Sequence, residues 1–238
     1  MKQKEILLST LLNKNKISLS DANIDDVGDN HLISNIETPL RADAFAISDE
    51  EKIEIIKVHF TKIMQTLGLD LTDDSLKGTP ERVAKMYVKE IFSGLNPKAL
   101  PTSTLFENKY KYNQMLIEKE ISFYSNCEHH FVPIFGKAHL AYFSSGKVIG
   151  LSKLNRIVQY FAKRPQVQER LTVQIAHELQ KILNTKDVAV VMDANHLCVS
   201  SRGVQDQHSS TITSFYGGKF EQESIKKEFL AHISKSVK

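Results

Sequence analysis

Apolar residues in the first hundred positions recur mostly at helical spacing. Between residues 49 and 67 they lie three and four positions apart, which predicts an amphipathic helix that ends at Gly68. Thr79-Pro80 predicts the start of a second helix, with Thr79 as its cap and Pro80 at the first helical position. We therefore expect a helical region over residues 37–100. Residues 1–36 are rich in Asp, Asn and Ser near their end and predict a mobile lead-in.

Beyond residue 101 the pattern changes to the alternation typical of strands. Residues 115–124, 138–143, 187–194 and 209–215 predict strands. Two amphipathic helices are predicted between the second strand and the third, and Ser152 is expected to cap the first of them. The order ββααββ over residues 101–238 favours an α+β fold, a four-stranded antiparallel sheet with two helices on one face.

The composition excludes several classes of protein. Apolar residues make up 41% of the chain and charged residues 25%, which argues against a disordered, collagen-like or disulfide-scaffold protein. The longest apolar runs, such as residues 188–192, are far shorter than the roughly 20 residues of a transmembrane helix. A net charge of +3 without a long basic run gives no reason to expect nucleic-acid binding, so any anion site must be local.

The N-terminus and the cysteine count bear on location. Lys2 and Lys4 precede an apolar stretch at residues 6–12, but this stretch is short and no small-residue cleavage site follows it. A signal peptide is therefore disfavoured. With two cysteines in the chain, we expect a reducing cytoplasm and no structural disulfide.

Both cysteines lie beside histidines. Residues 127–130 read Cys-Glu-His-His after the first strand of the predicted sheet, and residues 196–198 read His-Leu-Cys after the third. Residues two apart in an extended chain face the same side, and a turn can bring Cys127 and His130 together. Thiolate and imidazole ligands with one position left to water predict a catalytic zinc site. The alternative is two buried structural cysteines with incidental histidines.

Polar residues at two helix starts are candidates for ligand binding. Ser152 and Lys153 begin the first central helix, and Arg156 follows on the same face, where helix amides attract anions. The alternative is a solvated basic face, which describes most such pairs. Gln168 and Glu169 begin the next helix and would by default be an ordinary surface pair.

Four long blocks of the chain resemble the signature blocks of type I GTP cyclohydrolases. They are residues 125–133, SNCEHHFVP; 148–158, VIGLSKLNRIV; 164–172, RPQVQERLT; and 196–204, HLCVSSRGV. Residues 37–41, 78–87 and 90–94 are similar as well. The resemblance covers about residues 37–232, and the first 36 residues correspond to a region that is variable in that family.

The resemblance implies zinc-dependent hydrolysis and ring rearrangement of GTP to 7,8-dihydroneopterin triphosphate and formate, the first step of pterin and folate biosynthesis. It also implies the tunnelling fold and a homodecamer with active sites between subunits. Three alternatives are a zinc-stabilised nucleotide-binding module, a purely structural oligomer and another tunnelling-fold pterin enzyme. The open three-ligand metal count and the combination of Cys-Glu-His-His with His-x-Cys favour the cyclohydrolase.

Roles for individual residues follow from the same resemblance. It assigns Cys127, His130 and Cys198 to zinc, and His129 and His196 to proton transfer. It assigns Ser152, Lys153, Arg156 and Arg202 to the triphosphate, with Arg82 as a further contributor, and Gln168 and Glu169 to guanine.

Overall fold

A computed structural model describes residues 36–102 and 104–234. The lead-in expected over residues 1–36 lies outside the described residues except for Ile36. Helix α1, Asp49–Thr66, begins after Ser48, whose side chain and that of Glu51 each accept a hydrogen bond from the other residue's backbone N–H. This reciprocal pair stabilises the helix start, and α1 confirms the helix predicted between residues 49 and 67.

Helix α2, Thr79–Met86, continues into a π-helical turn at Tyr87–Ile91. The predicted helix therefore forms, but Thr79 is its first residue, and the cap is Gly78. The expectation that Thr79 caps it was wrong, because the Thr79 N–H already donates to the Leu76 carbonyl in the preceding turn.

A five-stranded sheet follows, in the order β5-β2-β3-β6-β7. Its four longer strands, which pair antiparallel, are β2 (Leu116–Cys127), β3 (Pro133–Tyr142), β6 (Val188–His196) and β7 (Thr211–Tyr216). These confirm the four predicted strands with shifted ends. The fifth strand, β5 (Pro165–Gln166), pairs parallel with the end of β2, so the predicted count of four was one short. A separate two-stranded sheet joins β1 (Leu105–Glu107) to β4 (Lys147–Ile149).

The two central helices are α3, Leu151–Ala162, and α4, Gln168–Leu183. Ser152 is the second residue of α3 rather than its cap, which is Gly150. The helix begins two residues earlier than expected, because the last extended residue is Gly150, whose carbonyl accepts a hydrogen bond from the Lys153 N–H. Both helices contribute to one core with the even-numbered side chains of β3, such as Ala138 and Leu140.

The opposite face of the sheet carries a smaller cluster. Helix α6, Glu223–Ser234, contributes Phe229, which packs with Phe220, Ala141 and Val191. No helix was predicted here, although Ile225, Phe229 and Ile233 recur four residues apart. Across the described residues, none of the helices is both long and apolar enough to cross a membrane.

Gly94 joins the N-terminal helical region to α3. Its N–H donates to the Lys163 carbonyl at 2.9 Å, and its own carbonyl accepts from Arg164 Nε at 2.8 Å. A Cβ at this position would lie 2.0 Å from the Tyr160 carbonyl oxygen, so only glycine permits so close an approach.

Candidate metal centre and active site

The tip of the β2–β3 hairpin carries the Cys-Glu-His-His motif. Two backbone bonds close the tip: the Cys127 N–H donates to the Val132 carbonyl at 2.9 Å, and the Phe131 N–H donates to the Cys127 carbonyl at 2.8 Å. Phe131 has a φ of +56°, an unfavourable conformation for so bulky a residue. Its ring packs edge-on against Phe92 and Tyr87, with centroids 5.2 and 6.4 Å away. These contacts restrain the shape of the tip.

The end of β6 lies beside this tip. Ile134 of β3 pairs with His196 of β6, and the short helix α5, Leu197–Ser200, follows at once. This register brings one ligand atom from each of Cys127, His130 and Cys198 to within 4.8 Å of one another. The two sequence motifs therefore meet in space.

This donor set fits a metal ion of intermediate softness. Two sulfur atoms and one imidazole suit zinc far better than magnesium. Both cysteines are free thiols. Burial raises the pKa of Cys198 to about 11, and the neighbouring Cys127 adds to that shift. Two adjacent thiolates are thus unfavourable without a cation between them, and a divalent ion would supply the missing charge.

His129 also lies near the cluster. Its Nδ1 is 3.8 Å from Cys127 Sγ, the same distance that separates His130 Nδ1 from that sulfur. Only His130 completes the three-residue cluster with Cys198. The geometry thus distinguishes the two adjacent histidines, although both contact the same thiol.

His196 lies at the end of β6, and its Nε2 makes one short hydrogen bond with Gln168 Oε1 at 2.7 Å. Burial lowers the pKa of His196, while the nearby Glu169 charge acts in the opposite direction. The resemblance assigned Gln168 to guanine, but this residue is only 1% exposed, and its side chain is hydrogen-bonded to His196 and to β7. The default expectation of a surface pair is therefore wrong for Gln168. A guanine contact by this side chain stays a prediction.

The predicted cations divide into two groups. Arg202 Nη1 lies 3.2 Å from His130 Nε2, beside the cluster. Arg156 instead lines a separate open cavity of about 320 Å³, with Lys163 and Gln159. Within the part of the chain that the structure describes, no hydrogen bond or ion pair links Ser152, Lys153, Arg156 or Arg82 to the cysteine–histidine cluster. Arg82 bonds the Ser75 carbonyl and Thr79 Oγ1 near the start of α2.

Comparison with known proteins identifies the family of the chain. The family model described as GTP cyclohydrolase I matches residues 56–234. The chain belongs to the GTP cyclohydrolase I family. A protein named GTP cyclohydrolase 1 from Flavobacterium johnsoniae is 64% identical over 210 residues, which cover 88% of this chain and 94% of that protein. Proteins of the same name from Aeromonas salmonicida and Escherichia coli O1:K1 are 57% and 53% identical over 199 residues, 83% of this chain and 90% of each protein.

One ion pair of this GTP cyclohydrolase I family member was missed by the sequence reasoning. Arg170, on the first turn of α4, donates from both terminal nitrogens to the carboxylate of Glu128, inside the Cys-Glu-His-His motif. The Arg170 side chain is 7% exposed and that of Glu128 is 19% exposed. No sequence signal singled out this pair, because Arg170 directly precedes Leu171 and therefore lies off the predicted apolar stripe of the helix.

Proposed function

We propose that the chain catalyses the hydrolysis and ring rearrangement of GTP to 7,8-dihydroneopterin triphosphate and formate. The observation that carries the proposal is the convergence of Cys127, His130 and Cys198, with His196 and Arg202 close by. Family membership supplies GTP as the substrate. A purely structural metal site would want a fourth protein ligand, whereas three ligands leave a position open for chemistry.

Cys127, His130 and Cys198 would hold zinc. When bound, zinc would supply a water nucleophile at neutral pH, because coordination lowers the pKa of water to about 7. The exposure of His130 and the burial of Cys127 support a site that is closed on the protein side and open on the other. That open side is where a purine could approach.

His129 and His196 would transfer protons. Hydrolytic attack at C8 of the purine places electron density on N7, so a nearby imidazole is suited to protonate that nitrogen and to assist the later C–N cleavage. The short bond from His196 to Gln168 supports this role, because a proton-transfer group must be held in one orientation.

The substrate contacts would come from two directions. The triphosphate would be contacted by Arg202, which lies beside His130, and by Ser152, Lys153, Arg156 and Arg82. Guanine would be contacted by Gln168 and Glu169. Because Ser152, Lys153, Arg156 and Arg82 have no described link to the cluster of the same chain, we propose that neighbouring subunits complete each site. The proposal also includes the tunnelling fold, assembly as a homodecamer and location in a reducing cytoplasm. It includes no nucleic-acid or membrane partner.

The test is an assay of zinc-loaded protein with GTP, in which formate release and pterin fluorescence are followed together. We expect both products in equal amounts. GMP is expected to be a poor substrate, since charge-assisted phosphate contacts are worth about 1.5–3 kcal/mol each. Cys198→Ser should lose metal and turnover together. Full zinc content and full turnover in Cys198→Ser would contradict the proposed ligand set.

A further inference from the structure

The side-chain amide of Gln168 lies within hydrogen-bonding distance of four polar groups of the protein. Its Nε2 lies 2.8 Å from the Thr211 carbonyl, 3.2 Å from the Met192 carbonyl and 3.1 Å from Thr213 Oγ1. Its Oε1 lies 2.7 Å from His196 Nε2. The amide is thus held against β6 and β7 on one side and contacts His196 on the other.

These partners determine which way the amide points. Backbone carbonyls only accept hydrogen bonds, so the NH₂ group of Gln168 must face the carbonyls of Thr211 and Met192. The reversed amide would place its oxygen 2.8 Å from the Thr211 carbonyl oxygen, where two acceptors repel each other. The oxygen of Gln168 therefore faces His196.

A chain of hydroxyl groups reinforces this orientation. Thr172 Oγ1 donates to the Gln168 backbone carbonyl at 2.8 Å and lies 2.6 Å from Thr213 Oγ1. Since the Thr172 hydroxyl donates its proton to the Gln168 backbone carbonyl, the Thr213 hydroxyl donates to Thr172 Oγ1 and accepts from Gln168 Nε2. Each hydroxyl then has a donor and an acceptor partner, and the amide cannot turn without breaking the chain.

The orientation of Gln168 in turn determines where His196 carries its proton. An amide oxygen cannot donate, so a 2.7 Å contact with His196 Nε2 requires that this nitrogen bears the hydrogen. We infer that Gln168 is a positioning residue that holds His196 as the Nε2–H tautomer and leaves Nδ1 as the atom that exchanges a proton with substrate. This inference rests on the proposed role of His196 in proton transfer.

The experiment compares Gln168→Met with the unmodified, zinc-loaded protein. Methionine keeps the length of the side chain but offers no amide oxygen. Nitrogen NMR of protein labelled with ¹⁵N-histidine distinguishes protonated from unprotonated ring nitrogens, and His196→Asn identifies the His196 signals by their loss. We expect a protonated Nε2 and an unprotonated Nδ1 in the unmodified protein, and a mixture of tautomers in Gln168→Met.

Turnover supplies the second readout. We expect kcat of Gln168→Met to fall at least about tenfold, a part of the roughly 10²–10⁴-fold that a positioned acid–base group contributes. Zinc content should change little, and any rise in KM for GTP would measure the separate guanine contact proposed for Gln168. The matched control is Gln174→Met, which removes a 4% exposed glutamine amide from the same helix, where it donates to the Ile36 carbonyl. This control should lose stability but keep kcat and the His196 signals.

Three results would overturn the inference. A protonated Nδ1 in the unmodified protein would reverse the assigned tautomer, and unchanged signals and kcat in Gln168→Met would remove the positioning role. Full turnover in His196→Asn would exclude Nδ1 as the proton-transfer atom. Failure of the unmodified protein to release formate from GTP would instead contradict the proposed function, while the tautomer measurement would still report on Gln168.

Discussion

Arg170 binds both carboxylate oxygens of Glu128, with Nη2 and Oε1 3.2 Å apart. Glu128 stands between Cys127 and the two histidines at the hairpin tip, whereas Arg170 lies on α4 next to Glu169. The backbone of Glu128 is held too, because its N–H donates to the Gln166 carbonyl at 3.0 Å. The ion pair therefore fixes the metal loop to the start of the helix proposed to read guanine.

Removing one member of this pair should be costly. Arg170→Met leaves the largely buried Glu128 carboxylate without its guanidinium, and such losses are worth about 3–5 kcal/mol, with the lower value expected here because Glu128 stays partly exposed. We expect a lower free energy of unfolding in urea and faster loss of zinc to a chelator. The double variant Glu128→Gln/Arg170→Met should recover much of the stability, since no unpaired charge remains.

A surface pair on α6 provides the control. Lys227 lies 3.5 Å from Glu223, and the two side chains are 74% and 69% exposed. Lys227→Met should cost less than about 1 kcal/mol, as exposed pairs do, and should leave zinc release unchanged. Equal effects of Arg170→Met and Lys227→Met would show that the bond to Glu128 does not restrain the metal loop.

The adjacent histidines His129 and His130 should differ in metal content. His130→Ala is expected to lose zinc, because it removes a ligand from the cluster. His129→Ala is expected to retain zinc and to lose turnover by about 10²–10⁴-fold, the usual contribution of a proton-transfer group. Zinc per subunit, measured by elemental analysis beside formate release, separates the two roles. Zinc loss in His129→Ala alone would mean that the two assignments are exchanged.

The sequence predicted the elements of the fold well where one pattern dominates over a long stretch. The stripe of α1 and the alternation of the four longer strands are local signals, and both were confirmed. Strand β5 has only two residues and forms because Pro165 and Gln166 meet the end of β2, which no local pattern encodes. Helix α6 was missed although its apolar residues Ile225, Phe229 and Ile233 recur four apart, which is itself a local helical signal.

The candidate site was likewise predictable where the signal is local and not where it depends on distant residues. The Cys-Glu-His-His and His-x-Cys motifs were visible as spacing, and the resemblance singled out the three residues that cluster. The pairing of Ile134 with His196, which brings the motifs together, depends on sheet register and is absent from the spacing. The partners of Gln168 and Arg170 could not be predicted for the same reason, since each bond joins residues at least 24 positions apart.

Stability at mildly acid pH should depend on His139. This side chain of β3 is 9% exposed, and burial lowers its pKa. The charges of Lys119 and Lys137 lower the pKa of His139 further, whereas those of Glu120 and Asp193 raise it. The unfolded chain therefore takes up this proton at a higher pH than the folded one. The resulting stability is complete above the unfolded pKa of about 6.5 and is lost as the pH falls towards the lower, folded pKa.

His139→Gln should weaken this dependence. We expect its melting temperature to fall less than that of the unmodified protein when the pH is lowered from about 7.5 to 5.5. Comparing the two proteins cancels contributions that they share, including that of His196, whose pKa is also lowered by burial. His59→Gln, which removes an exposed histidine of α1, serves as the matched substitution. Equal pH slopes for His139→Gln and the unmodified protein would rule out His139 as a source of the acid sensitivity.

The choice of base should depend on Glu169. Its side chain is exposed on the first turn of α4, beside Gln168 and near enough to His196 for its charge to act on the pKa of that histidine. An ionised carboxylate can accept two hydrogen bonds, from the guanine N1–H and from the 2-amino group. Adenine presents neither donor at those positions. A site built to bond a substrate donor can reject the analogue that lacks it by roughly 10⁴–10⁵-fold.

Glu169→Gln keeps the shape of this side chain, removes its charge and replaces one acceptor oxygen with a donor. We therefore expect kcat/KM for GTP to fall sharply while zinc content stays unchanged, because Glu169 lies outside the metal cluster. Measurements of kcat/KM on GTP, ITP and ATP should place ITP between the other two for the unmodified protein, since hypoxanthine keeps N1–H but lacks the 2-amino group. If Glu169→Gln retained the full preference for GTP, guanine would have to be read by other groups, and the carboxylate of Glu169 would serve only the start of α4.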